Sequence, residues 1–239
     1  MNKARTLTMF APYLLVSVIH LIALVRDADS VAAFTKPVLM VLLFVAFLFC
    51  LPRVRGEVAV LGSLAILLSW LGDVTLASPG DLGFVAGLGF FLLAHLAYVG
   101  LFLRRVRTRR PRPLVAVYAV WLAVFVALLA PHLGSLLIPV VAYGVVLGSM
   151  GALALHCNGW IAAGGALFVV SDSLLGLSRF LPGFTLWQTD FLIMLSYLLA
   201  QGLIAFGLVR WAWSAHATAP ASADAEGSVV AGRSVDADE

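Results

Sequence analysis

Two aspartates lie inside long apolar stretches of the sequence, where charged side chains are rare. From residue 58 to residue 103 the only formal charges are Asp73 and Asp81, and from residue 114 to residue 209 they are Asp172, Arg179 and Asp190. A charged side chain near the centre of a bilayer costs roughly 2.5–3.5 kcal/mol, so intramembrane charges mark functional sites by default. Two carboxyls in different environments can divide the roles of general acid and general base. Asp73 and Asp172 are therefore the first candidates for chemistry.

Two cations are expected at the depth of these carboxyls. Lys36 follows the start of the second apolar run, and Arg179 ends the seventh. Arg179 also follows Asp172 by seven residues, which places both on one helix face. We expect two acids and two bases to converge in a single cavity, with Asp81 as a solvated loop residue. An alternative stays open, in which salt bridges between these residues only lock helices together.

Several neutral polar side chains also lie within the apolar runs. His95 has Tyr98 one turn further on, and Tyr197 and Gln201 are one turn apart. Hydrogen bonds between neighbouring helices would be an adequate explanation for them. The sequence contains no HxxxH or HExxH metal motif, no phosphate-binding glycine loop and no GxSxG nucleophile elbow. We therefore predict neither a metal nor a cofactor.

The elements that would position these residues follow from composition. Of 239 residues, 62% are hydrophobic and 11% are charged, which excludes an ordinary soluble domain. Since one spanning helix needs about 20 apolar residues, the chain has room for about eight. The predicted helices cover residues 7–25, 33–51, 58–77, 83–103, 114–130, 136–155, 160–178 and 189–211. The sequence predicts an all-α, polytopic transmembrane bundle of eight spans over residues 1–211, followed by a disordered cytoplasmic tail at 212–239.

The distribution of Lys and Arg predicts the orientation of the bundle. With the amino terminus inside, twelve of these residues face the cytoplasm and three do not, which places both termini in the cytoplasm. The three on the other side are Arg26, Lys36 and Arg179. The basic cluster at 104–112 is interpreted as a topological anchor that attracts anionic membrane lipids, and not as a nucleic-acid site.

An ordered set of motifs covers about residues 10–210. The set comprises Thr35-Lys36-Pro37, Leu68-Ser-Trp-Leu-Gly-Asp73, Phe84-xx-Gly87-xx-Phe90-xxx-Ala94-His95-xx-Tyr98, Tyr143, Gly165-Ala-Leu-Phe-Val-Val-Ser-Asp172-Ser173, Ser178-Arg179-Phe180 and Tyr197-xx-Ala200-Gln201. Taken together, these motifs resemble the YhhN-like lysoplasmalogenase family of eight-span membrane proteins. The resemblance implies a multi-pass cell-membrane hydrolase that cleaves the vinyl ether bond of lysoplasmalogens, which are lysophospholipids. The implied products are a fatty aldehyde and a glycerophospho-ethanolamine or -choline.

The candidate residues suit that chemistry. A vinyl ether is hydrolysed through protonation at carbon, capture of the cation by water, and collapse of a hemiacetal. We expect one of Asp73 and Asp172 to be the general acid and the other to be the base or the cation stabiliser, in an order that the sequence leaves open. A cation that does not pair with either aspartate would hold the lipid phosphate. We expect His95, Tyr98, Tyr197 and Gln201 to supply hydrogen bonds to the glycerol or the water.

Two other classes of function remain open. In a transporter or lipid-handling protein, the same buried charges would form a proton or ion relay. In a structural membrane scaffold, the buried ion pairs would only fix helix packing.

Overall fold

The computed structural model describes residues 3–106 and 113–218, with side chains from residue 8 onward. Within these ranges the chain forms eight α-helices and no β-strand. They are α1 (Lys3–Val25), α2 (Asp29–Cys50), α3 (Glu57–Leu76), α4 (Asp81–Leu101), α5 (Ala116–Leu133), α6 (Leu137–Ala154), α7 (Gly159–Phe180) and α8 (Thr189–Ala217). The all-helical class predicted from composition is confirmed.

The predicted helices match the observed ones within three residues, except at three ends, one of which is the start of α1 at Lys3, four residues earlier than predicted. Helix α2 begins at Asp29, four residues earlier than predicted, and α8 continues to Ala217, six residues past its predicted end. A π-helical turn at Phe102–Val106 extends α4 and carries Arg104 and Arg105. The rest of the predicted basic anchor, at 107–112, and the predicted tail from 219 onward lie outside the described residues.

Within the described ranges, seven segments are long and apolar enough to cross a membrane. One of them runs from Pro113 to Ala154 and contains both α5 and α6. A 3₁₀ turn at Gly134–Leu136 separates these two helices, and Gly134 has a φ of 51°, a left-handed conformation that favours glycine. Eight separate crossings therefore stay a prediction.

The bundle exposes apolar side chains on its surface, and its interior contains polar as well as apolar side chains. Leu15, Phe34, Phe49 and Ile138 are all more than half exposed. A soluble protein would bury such side chains, whereas a bilayer solvates them. His95, by contrast, is fully buried. This inside-out distribution is the one expected of a helical membrane protein.

Helices α7 and α8 pack closely along their length and carry one half of the candidate site. The Asn158 side chain accepts hydrogen bonds from the Trp160 and Ile161 amides and donates one to the Gly207 carbonyl at 2.8 Å, so it caps α7 and ties it to α8. Further along, a Cβ on Gly164 would lie 2.8 Å from the Ala200 carbonyl oxygen. Glycine at this position permits the close approach of the two helices.

Helices α2 and α3 are tied together beside the other half of the site. The Trp70 indole N–H donates to the Pro37 carbonyl at 3.0 Å. Lys36 precedes Pro37, and Asp73 lies about one turn beyond Trp70, so this bond fixes the two charged residues relative to each other. A neighbouring hydrogen bond joins His20 Nδ1 of α1 to the Thr35 hydroxyl of α2 at 2.8 Å.

Candidate active site

The bundle has two ends, and the candidate residues lie toward one of them. We call this the Asp81 end, where α1, α3, α5 and α7 end and where α2, α4, α6 and α8 begin. Asp73 lies three residues from the end of α3 and Asp172 eight residues from the end of α7. At a rise of 1.5 Å per residue these positions are roughly 5 and 12 Å along the helix axis. Asp172 is thus the deeper carboxyl.

Asp172 contacts a tyrosine and a histidine. The Tyr143 hydroxyl on α6 donates a hydrogen bond to Asp172 Oδ2. His95 on α4 brings Nε2 to 3.9 Å from the same oxygen, and the Asp172 side chain is only 9% exposed. Three helices therefore converge on one nearly buried carboxyl.

The backbone fixes the tautomer of His95. Its Nδ1 lies 2.5 Å from the Phe91 carbonyl oxygen, one turn back on α4. A carbonyl oxygen only accepts hydrogen bonds, so Nδ1 must carry the hydrogen. In the neutral ring Nε2 is then a bare acceptor, and it has no hydrogen-bond partner among the described residues. The site thus presents an unprotonated nitrogen beside a carboxyl.

Asp73 belongs to a second hydrogen-bonded chain. The Tyr197 hydroxyl on α8 donates to Asp73 Oδ2 at 2.8 Å, and the Gln201 amide donates to the Tyr197 hydroxyl at 3.5 Å. The Tyr98 hydroxyl on α4 donates to Gln201 Oε1 at 2.9 Å. The structure therefore joins three of the predicted hydrogen-bonding residues in one buried chain that ends at a carboxylate.

The two carboxyls interact without sharing a partner. Asp73 lies within electrostatic range of Asp172, but each is hydrogen-bonded to a different tyrosine. The Phe168 ring packs against a neighbour of each carboxyl: its centroid is 4.6 Å from that of His95, which lies beside Asp172, and 5.5 Å from that of Tyr197, which donates to Asp73. Any influence of Asp73 on chemistry at Asp172 must therefore act through space.

A narrow apolar cavity reaches Asp172. It is lined by Leu76, Phe84, Leu88, Phe91, Trp121, Phe125, Val140, Tyr143, Gly144, Leu147, Asp172, Leu175, Gly176 and Phe180. Neither Asp73 nor His95 is part of this lining. The cavity has a volume of about 30 Å³, enough for one or two water molecules. Of the two carboxyls, Asp172 is therefore the one that a molecule in the cavity meets, and a molecule larger than water must displace lining side chains.

The two predicted cations lie together in a separate recess at the Asp81 end. Lys36 and Arg179 both line this recess. Lys36 is partly buried and lies within electrostatic range of Asp73. Arg179, however, forms an ion pair with Asp81 at 2.6 Å and not with either buried aspartate. The convergence of all four charges in one cavity is therefore not what the structure shows.

The contacts of two residues, Tyr143 and Asp81, were not predicted from the sequence. Tyr143 is part of the motif set but was not expected at the site, although a tyrosine hydroxyl within a mostly apolar helix is a signal for it. Asp81 was expected to be a solvated loop residue. Its side chain is solvated, at 85% exposure, but Asp81 is the first residue of α4 and forms an ion pair with Arg179. Nothing in its local sequence points to a partner 98 residues away.

Residues 3–106 and 113–218 contain no group of three or more His, Cys, Asp or Glu side chains placed to hold a metal ion.

Apolar helices surrounding two buried carboxyl–tyrosine contacts define the class: a polytopic helical membrane protein with a polar site inside the bundle. The YhhN family model matches residues 31–208, a range that contains every one of the candidate residues. The chain belongs to the YhhN family. No solved structure matches it.

Curated relatives carry one functional name. A protein named lysoplasmalogenase from Mycobacterium tuberculosis is 42% identical over 129 residues, which are 50% of this chain and 49% of that protein. The chain thus spans about half the length of the mycobacterial relatives it matches. Lysoplasmalogenase TMEM86B from Homo sapiens is 31% identical over 173 residues, 72% of this chain and 73% of that protein. The mouse protein of the same name is 30% identical over 146 residues, 61% of this chain and 62% of that protein.

Proposed function

We propose that this protein hydrolyses the vinyl ether bond of lysoplasmalogens. The observation that carries the proposal is the apolar cavity whose lining includes one carboxyl, Asp172, in contact with a tyrosine hydroxyl and close to a bare imidazole nitrogen. The names of the relatives support the same reaction. The substrate is a lysophospholipid with an alkenyl chain, and the products are a fatty aldehyde and a glycerophospho-ethanolamine or -choline.

The first half of the proposed reaction adds a proton and a water. Asp172, as the carboxylic acid, protonates the outer carbon of the vinyl ether, so that the double bond is lost and the inner carbon becomes an oxocarbenium ion. A water then forms a bond to that carbon and gives its proton to His95 Nε2. This step yields a hemiacetal, an Asp172 carboxylate and a His95 imidazolium. Such acid–base assistance contributes about 10²–10⁴ in rate.

The second half breaks the carbon–oxygen bond and resets the site. The Asp172 carboxylate removes the proton of the hemiacetal hydroxyl as the aldehyde forms. The His95 imidazolium protonates the departing glycerol oxygen, so that the imidazole becomes neutral again. The atoms balance as one vinyl ether plus one water giving one aldehyde plus one alcohol. Tyr143 orients the Asp172 carboxyl throughout.

Asp73 takes the role of the second carboxyl in this proposal. It is the carboxyl within electrostatic range of Lys36, and Tyr197 donates a hydrogen bond to it. Its negative charge would stabilise the oxocarbenium ion through space, since Asp73 lies within range of Asp172 and outside the cavity lining. Tyr98 and Gln201 form hydrogen bonds that lead to Tyr197 and so help to position the Asp73 carboxylate. They do not contact the substrate in this proposal.

The proposal extends to membrane topology. Helices α5 and α6 have 18 residues each, about 27 Å of helix, which is close to the thickness of the hydrocarbon core. We propose that each crosses once, giving eight spans in the cell membrane. The excess of Lys and Arg beyond the opposite end of the bundle would place both termini in the cytoplasm. The Asp81 end would then face outward.

The test is a reaction with purified protein in proteoliposomes. A lysoplasmalogen is supplied, and the fatty aldehyde and glycerophosphoethanolamine are quantified by mass spectrometry. We expect equal amounts of both products. The matched 1-O-alkyl lysophospholipid has no double bond to protonate and is expected to stay intact.

Two outcomes would contradict the proposal. One is the absence of aldehyde from protein that is folded by circular dichroism. The other is movement of unchanged lysoplasmalogen across the membrane without cleavage, which would favour a transporter that uses the buried charges as a relay.

A further inference from the structure

The recess at the Asp81 end has the chemistry of an anion site. Lys36 of α2 and Arg179 of α7 line it together with Ser78 and Ser178, in a volume of about 450 Å³. Two cations and two hydroxyls from separate helices and one turn therefore face the same space. Phosphate oxygens are well matched by such a set, because Arg and Lys form charge-assisted hydrogen bonds with them.

The recess adjoins the apolar cavity. Leu76, Phe84 and Leu175 line both. The Arg179 guanidinium lies 5.3 Å from the centroid of the Phe84 ring, and Phe84 packs edge-on against Phe180 at 5.4 Å. Arg179 therefore rests on the wall that separates the anion site from Asp172.

Arg179 already forms an ion pair with a carboxylate of the same chain, Asp81. Its terminal nitrogen lies 2.6 Å from Asp81 Oδ1. Both side chains are open to water, Asp81 at 85% and Arg179 at 45% of full exposure. Exposed ion pairs of this kind contribute little stability and exchange readily. A phosphate in the recess would contact both Lys36 and Arg179, whereas Asp81 pairs with Arg179 alone. The phosphate would therefore compete well for Arg179.

We infer that Lys36 and Arg179 bind the phosphate of a lysophospholipid, and that Asp81 is a built-in competitor that the phosphate must displace from Arg179. The identity of the lipid rests on the proposed function. Because the recess shares a wall with the cavity, a phosphate bound there places the first bonds of the attached chain at the cavity entrance.

The test measures binding, so that it does not depend on bond cleavage. The probe is 1-O-alkylglycerol 3-phosphate, which carries a phosphate but no ammonium group and no vinyl ether. The matched neutral probe is 1-O-alkylglycerol. Affinities of the purified full-length protein in detergent are measured by isothermal titration calorimetry for the wild type, Asp81→Asn, Arg179→Gln and Lys36→Gln.

The phosphate probe is expected to separate the variants. Asp81→Asn should bind it about two- to fivefold more tightly, since an exposed ion pair no longer competes. Arg179→Gln and Lys36→Gln should each bind it about tenfold more weakly, since a charge-assisted hydrogen bond is lost. All three should bind the neutral probe as the wild type does. Asp190→Asn, which removes an exposed carboxylate at the same end of the bundle, is the control and should change neither affinity.

Three results would overturn the inference. They are weaker phosphate binding by Asp81→Asn, equal effects of the substitutions on both probes, and inorganic phosphate alone binding as tightly as the lipid, which would assign the recess to a free anion. The proposed function is judged separately by aldehyde release. If the binding pattern holds while no aldehyde forms, only the proposed reaction is wrong.

Discussion

His95 Nε2 and Asp172 Oδ2 lie 3.9 Å apart, with the histidine hydrogen already committed to a backbone carbonyl on its other side. This distance is longer than a hydrogen bond, so the two groups are adjacent but not joined. The proposed reaction requires a molecule that contacts both groups. In the proposed reaction those contacts are made by the vinyl ether carbon and the attacking water.

Replacement of Asp172 by asparagine should remove the proton donor. We expect kcat for aldehyde release to fall by about 10²–10⁴ with the bundle still folded, because an amide keeps the size of the side chain but not its acidity. Aldehyde is measured by mass spectrometry and folding by thermal unfolding in detergent. Asp190→Asn serves as the matched control and should retain full activity, since Asp190 is exposed at the start of α8.

Replacement of His95 should remove the water-activating base. We expect His95→Ala to lose about 10²–10⁴ in kcat and to recover part of it when imidazole is added, because the small base can enter the space that the side chain leaves. The readout is aldehyde release with and without imidazole. If imidazole accelerates the wild type as much as the variant, His95 does not act as a base.

Replacement of Tyr143 by phenylalanine should affect catalysis more than binding. The lost hydrogen bond to Asp172 is charge-assisted when the carboxylate forms, and such bonds contribute about 1.5–3 kcal/mol. We expect kcat to fall about ten- to a hundredfold with KM nearly unchanged. Tyr118→Phe, on α5, is the control and should behave as the wild type. A rise in KM alone would assign Tyr143 to substrate binding instead.

Replacement of Asp73 tests the role of the second carboxyl. If Asp73 stabilises the cation through space, Asp73→Asn should lower kcat, while Tyr197→Phe should lower it less because the carboxylate remains. The same aldehyde assay compares both variants with the wild type. Full activity in Asp73→Asn would contradict the two-carboxyl proposal and leave the roles of Asp172 and His95 standing.

The α7–α8 contact should be sensitive to a single methyl group. A Cβ on Gly164 would lie 2.8 Å from the Ala200 carbonyl and 2.7 Å from an Ile204 side-chain carbon, so Gly164→Ala must separate the helices. We expect a loss of roughly 1–3 kcal/mol in unfolding free energy, measured by denaturation in detergent. Gly100→Ala, on α4, is the control, since a Cβ there would meet nothing within 4 Å. Equal stability of the two variants would contradict the packing argument.

The sequence predicted the helices well because apolar runs and their breakers are local features. Asp73, Asp172, His95, Tyr197 and Gln201 could be singled out for the same reason, since a polar residue in an apolar run is visible without a fold. Their partners could not be predicted. Which tyrosine meets which aspartate depends on how α3, α6, α7 and α8 pack, and that packing is set by positions such as Gly164 that carry no chemical signal.

Charge partners were the least predictable feature. Arg179 shares a helix face with Asp172, which suggested a pair, yet its long side chain reaches the start of α4 and bonds Asp81 instead. The end of α7 lies at the surface of the bundle, where Arg179 keeps contact with water and avoids the cost of burial.

The most direct test of the central claim is hydrolysis of a lysoplasmalogen by the purified protein in D₂O, with immediate reduction of the aldehyde and analysis by mass spectrometry. Protonation at carbon by an exchangeable acid predicts one deuterium on the carbon next to the former carbonyl, in the wild type but at greatly reduced yield in Asp172→Asn. Aldehyde without deuterium at that carbon, or undiminished product from Asp172→Asn, would contradict the account.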